Sequence, residues 1–554
     1  MADLYGRQAF LELLAGEGVT HLFGNPGTTE LPIMQALPDH PQLTFVLGLQ
    51  EAVVLAMADG FARGSGRLAA ANVHVAPGLG NAMGALYNAK FSGSPVIVTA
   101  GQQEQGHGLL EPLLYEPLPA IAAPLVKWSV EVTRIEDLPR IMRRAAKVAM
   151  TRPAGPVFIS LPGDILNARA ELDLGTPVRV DERVRPSDAA VGAIADRLLA
   201  AQRPVIIAGQ ELARHRAYAD AGALALALGA PVFHEPIPYM AAFPSDHPLY
   251  MGMLTRTQAQ VRAALEPFDL VLCLGADLLR MSVYSPVEPL PEHLAVVHVS
   301  ERPWELGKNY RTDLAVAANV RETLAVLVPA LAERASAAYR RSAAARVERT
   351  AGDNWRARRA SASAQALLRE ADRPIDPALL MLRIADALPA EAIVVEEALT
   401  STAKLSQFLH LRDEASLFGL ASGGLGFAVP GAVGISMAQP GRPVVAIVGD
   451  GSAMYGIQGL WTAAHFRLPI TYVITNNRSY RIIKERLVAM QGSDRFVGMD
   501  MRDPAIDFCG LARAFGIAAT RITDPADVAA ALAAAVRSGA PHLIDIAVAD
   551  GFGT

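Results

Sequence analysis

Residues 444–480 constrain this chain more than any other stretch. An apolar run, Val444-Val445-Ala446-Ile447-Val448, leads into Gly449-Asp450-Gly451. A second, Ile470-Thr471-Tyr472-Val473-Ile474, leads into Asn476-Asn477. The pattern is strand, glycine-flanked acid, helix, strand, polar pair. A right-handed strand–helix–strand unit puts both strand ends on the same edge of a parallel sheet. Asp450 and Asn477 therefore meet at that edge, although 27 positions separate them. Two hard oxygen ligands beside a helix N-terminus describe a Mg2+–phosphate site, with a diphosphate and water completing the coordination.

The rest of the chain alternates strands and helices in the same way. A length of 554 residues accommodates two to four domains of roughly 100–200 residues each. Hydrophobic residues are 51% and charged residues 19% of the chain, enough to bury several cores. A net charge of −5 argues against nucleic acid as an obligate partner. Cys273 and Cys509 are too few for a disulfide framework, and their neighbours give no metal spacing. The first residues lack a secretory signal, and apolar stretches stop short of the ~18 residues of a membrane helix. A soluble cytoplasmic enzyme is the expectation.

Residues 1–180 read as one α/β domain. It has a helix over 6–16, a strand at 22–23, and the turn Gly24-Asn25-Pro26-Gly27, with Thr28-Thr29-Glu30 capping the next helix. Strands at 44–47, 68–75 and 95–100 alternate with helices from 50 and over 78–89. This alternation predicts a parallel sheet covered on both faces. Charge and proline at 178–186 mark a linker. A second domain, 187–345, carries strands at 204–208, 230–233, 270–274 and 295–299. The Ala- and Arg-rich stretch 331–370 reads as a solvated helical connector, with 346–374 as the link to a third α/β domain, 375–554. No short tandem repeat is visible.

Glu51 opens a helix after a strand, where a carboxylate suits the N-terminal dipole. His74 ends a strand ahead of a glycine-rich turn, at the sheet edge where ligands gather. Gly78-Leu79-Gly80-Asn81-Ala82-Met83-Gly84 resembles a dinucleotide fingerprint, but its third glycine falls one position late. These glycines are expected to serve close helix–sheet contact instead.

The Gly449-Asp450-Gly451 motif, followed at this spacing by Asn477, resembles the thiamine-diphosphate signature of decarboxylases, carboligases and acetolactate synthases. Residues 24–32, GNPGTTELP, resemble the GNPGSNELP stretch of benzoylformate decarboxylases. Stretches at 49–60, 78–89, 99–103, 126–129, 423–430 and 460–464 look like the same enzymes, so the resemblance covers all three segments. It implies three doubly wound parallel-sheet domains: pyrimidine, central and diphosphate domains. It implies thiamine diphosphate and Mg2+ as cofactors, and a homotetramer whose active sites are each shared between two subunits.

The resemblance also implies roles. Glu51 would bond the cofactor's pyrimidine ring and promote its activating tautomer. His74 would handle protons, and Thr28 would supply the hydroxyl that meets the substrate carboxylate. Asp450, Asn477 and the Ser479 carbonyl would hold the metal. Thr400, Ser401, Gly449, Gly451, Ser452 and Tyr480 would line the diphosphate, Gly423 would meet the 4′-amino group, and Leu425 would wedge under the cofactor. The implied substrate pocket contains Thr28, Leu113, Leu114, Ser282, Leu399, Ile482 and Arg486. Five positions depart from the benzoylformate pattern. Ser282 stands where a second histidine is expected, Ile482 replaces a small residue, Arg486 replaces an aromatic one, and Leu399 and Gly419 also differ. Ser cannot relay a proton as an imidazole does near neutral pH. Arg486 faces either an anionic substrate group or solvent, and His107 reads as a surface loop residue. The implied reaction is decarboxylation of a 2-keto acid to an aldehyde. The alternative is a carboligase or 2-hydroxyacyl lyase using the same cofactor.

Overall fold

The computed structural model describes residues 1–237, 239–281 and 283–552. The chain forms two compact units: Met1–Val180 with Glu391–Thr400 and Leu420–Thr554, and Asp181–Ala390 with Ser401–Gly419. Three parallel sheets run through them.

In the first unit, the N-terminal sheet reads across as Thr44–Leu47, His21–Gly24, Ala69–Val73, Val96–Gln102, Val157–Pro162 and Ser129–Glu131, all parallel. Its central strands are buried along their whole length, as expected for strands covered on both faces. The C-terminal sheet reads Ile393–Glu397, Val444–Gly449, Ile470–Asn476, His542–Ala547 and Ala518–Ile522, again parallel. The two sheets share an order in which the last two strands along the chain exchange places in space. The repeat that the sequence hides is therefore present in the topology.

The two halves of this unit join through helices Glu51–Ser65 and Ala428–Ala438. Their backbones nearly touch. A Cβ at Gly60 would overlap the carbonyl of Gly431, and one at Gly434 would overlap the carbonyl of Met57. Polar ties flank the contact: Gln439 Nε2 donates to the Gly64 carbonyl at 2.6 Å, and Thr462 Oγ1 to the Leu47 carbonyl at 2.8 Å. The Arg63 guanidinium lies 4.4 Å from the centre of the Phe427 ring.

Glu397, at the end of its strand, receives the otherwise unpaired amides that start helix Ala428–Ala438. Gly426 N donates to one carboxylate oxygen at 2.7 Å, and Phe427 N and Ala428 N donate to the other at 2.8 and 2.6 Å. Burial still pushes this carboxyl up to about 7.

The second unit holds a parallel sheet in the order Tyr250–Met253, Val232–His234, Pro204–Ala208, Leu270–Leu274, Ala295–Ser300, Leu314–Ala317. Its two edge strands were not expected from the sequence; they are four residues each and carry little periodic signal. The expected solvated connector is corrected as well. It contains helices Ala337–Ala351 and Trp355–Leu367, and both are anchored inside this unit. Arg346 is buried and donates to the Leu228 carbonyl, and Trp355 belongs to the hydrophobic core. Composition missed this because one buried face suffices to dock a helix whose other faces are charged.

Gly434→Ala is expected to destabilise the chain by about 1–3 kcal/mol or more through overpacking. Gly192→Ala, on an open helix face where a Cβ meets nothing, should instead stabilise it by about 0.5–1 kcal/mol. Chemical denaturation of both variants checks the contrast. Glu397 makes a pH prediction. Between its ordinary value of 4.5 and about 7, the folded chain keeps a proton that the unfolded chain has released, so this group removes stability as pH rises. Measured from pH 5 to pH 8, the wild type should lose up to about 3 kcal/mol relative to Glu397→Gln.

Candidate active site

At the edge of the N-terminal sheet, Glu51 begins its helix after Gln50, whose side chain caps Ala52 N and Val53 N. Glu51 is 8% exposed, and its carboxylate is fixed by two amides. Asn25 Nδ2 donates to Oε1 at 3.3 Å and Asn81 Nδ2 to Oε2 at 3.0 Å. No lysine, arginine or histidine pairs with it among the described residues. Gly78 lies against this carboxylate, whereas Gly80 and Gly84 face open space, so in place of the expected helix–sheet contact the motif makes one close approach, to the Glu51 side chain.

His74 follows strand Ala69–Val73 and precedes helix Val75–Ser92. Val75, next to it, has a φ of +41°, a conformation a β-branched residue rarely adopts and one that marks local strain. The His74 Nδ1 lies 2.7 Å from Glu30 Oε2. Thr28 is exposed at the start of the short 3-10 turn Thr28–Glu30. Its side chain does not cap that turn; of the expected capping triplet Thr28–Glu30 it is Glu30 that does, accepting from Gly27 N at 2.9 Å.

The edge of the C-terminal sheet carries the motif read first. Gly449 pairs with Thr475 across adjacent strands, which brings Asp450 and Asn477 onto one edge. Asp450 is buried and accepts from Gly451 N at 2.8 Å and Arg478 N at 2.5 Å. Burial pushes its carboxyl up to about 6, against the pull of these backbone amides. No basic side chain pairs with it among the described residues. Of the two asparagines, Asn476 turns inward, its Nδ2 donating to Asp545 Oδ1 at 2.9 Å. That leaves Asn477 for the edge, where its Oδ1 accepts from Ser479 N at 2.9 Å. Arg478, between them, sits at φ +57°, which turns its amide toward Asp450. Ser452 is buried behind Gly451, and Tyr480 is exposed at the head of helix Arg481–Gln491.

Gly423, at φ +83°, and half-buried Leu425 lie in the loop that ends at the amides held by Glu397. The loop also grips helix Val75–Ser92: Asn88 Oδ1 accepts from Ala421 N at 3.2 Å, Ser422 N at 3.2 Å and Ser422 Oγ at 3.1 Å. Asn81 and Asn88 are seven residues apart on that helix, about 10 Å along its axis. Glu51 and the Gly423 loop of one chain thus hold the same helix at two separate points.

Leu399 has a φ of +43° beside half-buried Thr400 at a strand end. Ser401 is buried and belongs to the other compact unit, where it precedes helix Thr402–Phe408. Leu113 and Leu114 are exposed, along with Leu109 and Leu110 of the same loop, and His107 is exposed there too. Ile482 and Arg486 are half-buried on helix Arg481–Gln491. Lys484 anchors this helix, held at 2.8 Å from Asp500 and 3.0 Å from Asp550. Ser282 lies outside the described residues.

Two acids escaped the sequence reading, Glu397 entirely and Glu30 except as helix punctuation. Glu397 organises the Gly423 loop, and Glu30 contacts His74. Gly426, the partner of Glu397, lies 29 positions away, and Gly101 and His74, the distant partners of Glu30, lie 71 and 44 away, too far for any local pattern to show.

Residues 4–111, 191–327 and 399–546 match, in turn, the N-terminal, central and C-terminal domains of thiamine pyrophosphate enzymes. The chain is 33% identical over 541 residues to benzoylformate decarboxylase of Pseudomonas aeruginosa, covering 97% of this chain and 98% of that one. It is 29% identical over 555 residues to the acetolactate synthase large subunit of Parasynechococcus marenigrum, covering 99% and 88%. The thiamine diphosphate-dependent 4-hydroxybenzoylformate decarboxylase of Rhodococcus jostii RHA1 superposes with a TM-score of 0.87 at 32% identity, covering 99% of both chains. With all three domains matched and relatives spanning its whole length, the chain belongs to the thiamine-diphosphate-dependent enzymes of decarboxylase and carboligase type.

Proposed function

We propose that this protein is a thiamine-diphosphate- and Mg2+-dependent decarboxylase of 2-keto acids of the benzoylformate kind, releasing an aldehyde and CO2. The observation that carries this reading is the pair of buried carboxylates, Glu51 and Asp450. Each is held by N–H donors and neither is met by a basic side chain among the described residues. A buried carboxylate without a partner is unfavourable, and a cation offsets that at Asp450. The residues present thus fit the metal and the cofactor.

Asp450, Asn477 and the Ser479 carbonyl would hold Mg2+, with Thr400, Gly449, Gly451, Ser452 and Tyr480 about the diphosphate. The Gly423 carbonyl would meet the 4′-amino group, and Leu425 would support the bend of the cofactor. Thiamine diphosphate, when bound, supplies the carbon nucleophile and electron sink that no side chain provides. Glu51 would hold a hydrogen bond to the pyrimidine nitrogen through a carboxylate that Asn25 and Asn81 keep in place. The Thr28 hydroxyl would donate to the substrate carboxylate and orient it. His74 Nε2 would hold or release the proton that the product needs. Leu113, Leu114, Leu399 and Ile482 would wall the pocket. Arg486 forms no ion pair among the described residues and remains available to an anionic group.

A site shared between subunits accords with one feature. The loop carrying Leu109, Leu110 and Leu113 exposes a cluster of large apolar side chains that a second copy would cover. Carboligation is the second reading, favoured by Ser282 in place of an imidazole that would protonate the product.

A panel of aryl and alkyl 2-keto acids, incubated with thiamine diphosphate and Mg2+ with and without acceptor aldehydes, should release CO2 and aldehyde. Absence of CO2 from every acid would remove the proposal, and products joined through a new C–C bond would favour the second reading. Glu51→Gln should lower kcat by about 100-fold or more. Co-expressing inactive Glu51→Gln and Asp450→Ala chains should restore roughly a quarter of the activity if two subunits build each site, and none if one chain does.

A further inference from the structure

Glu30 is fully buried, and its carboxylate accepts from four directions. Oε1 takes the Gly101 N–H at 2.8 Å and the Thr29 hydroxyl at 2.9 Å. Oε2 takes the Gly27 N–H at 2.9 Å and lies 2.7 Å from His74 Nδ1. Two backbone N–H groups and a hydroxyl already donate to this carboxylate, so the hydrogen shared with His74 belongs to Nδ1. Thr29 Oγ1, at 3.2 Å from Nδ1, borders the same hydrogen. The arrangement is built rather than incidental. A Cβ at Gly27 would overlap the His74 ring, and one at Gly101 would overlap the Glu30 carboxylate. The ring stays partly open, with 23% of its side chain exposed against none of the Glu30 side chain. No partner meets Nε2 among the described residues.

Resting on the reading of His74 as the proton-handling group, we propose that Glu30 is its positioning residue. The buried carboxylate locks the neutral imidazole in the Nδ1–H tautomer and leaves Nε2 as the nitrogen that exchanges the proton. When Nε2 takes up a proton, the imidazolium keeps its Nδ1–H bond to Glu30, and the fixed negative charge stabilises the cation. The carboxylate itself takes no proton. The same division of labour holds wherever a buried acid orients a catalytic imidazole. Glu51, across Gly78, is the other carboxylate near this turn, and its own oxygens are taken by Asn25 and Asn81.

The test uses the holoenzyme with 15N-labelled histidine. In the wild type, neutral His74 should show the Nδ1–H pattern. In Glu30→Gln, the Nε2–H tautomer should appear and kcat should fall on the order of 100-fold with little change in KM. In a His74→Ala background, the same substitution should lower kcat no further. Glu30→Asp, which keeps the charge but withdraws it by one methylene, should give a smaller shift in the same direction and serves if Glu30→Gln does not fold. An unchanged 15N pattern in both variants, or an undiminished effect on kcat without His74, would overturn the assignment. A His74→Ala chain that decarboxylates at the wild-type rate would instead remove the role given to His74.

Discussion

The backbone contact between helices Glu51–Ser65 and Ala428–Ala438 is the constraint on which the first unit depends. At Gly60 and Gly434 there is no room for a methyl group. Two sheets of like topology are thereby held at a fixed spacing, and everything at their edges inherits it. The N-terminus of one of these helices carries Glu51, and the N-terminus of the other is tied to the sheet by Glu397. A single tight contact thus positions both an acid and the Gly423 loop.

Chemistry collects at the carboxyl ends of the strands, as expected for open parallel sheets. His74 and Asp450 follow equivalent strands of the two sheets, and Asn477 follows the next one along. Backbone strain gathers at these places: Val75, Leu399 and Arg478 all have positive φ. Each such residue is worth of order 1–3 kcal/mol of local strain, borne by the surrounding structure. At Arg478 the consequence is visible, since the turn aims an amide at Asp450.

The parts of this molecule legible in its sequence are those whose signal is local. Asp450 and Asn477 could be placed on one edge because strand, glycine, acid and helix follow in order. Glu51 and His74 could be placed because each sits at a strand-to-helix junction. Glu30 could not, because its partners Gly101 and His74 are 71 and 44 residues away and reach it only once the sheet exists. The Ala- and Arg-rich helices deceived for a related reason. A guanidinium that caps a distant carbonyl looks, in composition, like one that meets water. The internal repeat was hidden because it resides in strand order, which many sequences satisfy.

In the proposed function, Asp450 is the ligand of a metal that in turn holds a diphosphate. Calorimetric titration of thiamine diphosphate into the wild type and Asp450→Ala, with and without Mg2+, tests this directly. Wild-type binding should require Mg2+. Loss of the carboxylate should weaken it on the order of 100-fold, at or beyond the 10–100-fold that outer partners of a metal carry. Equal affinity in both proteins, or binding indifferent to Mg2+, would contradict the account.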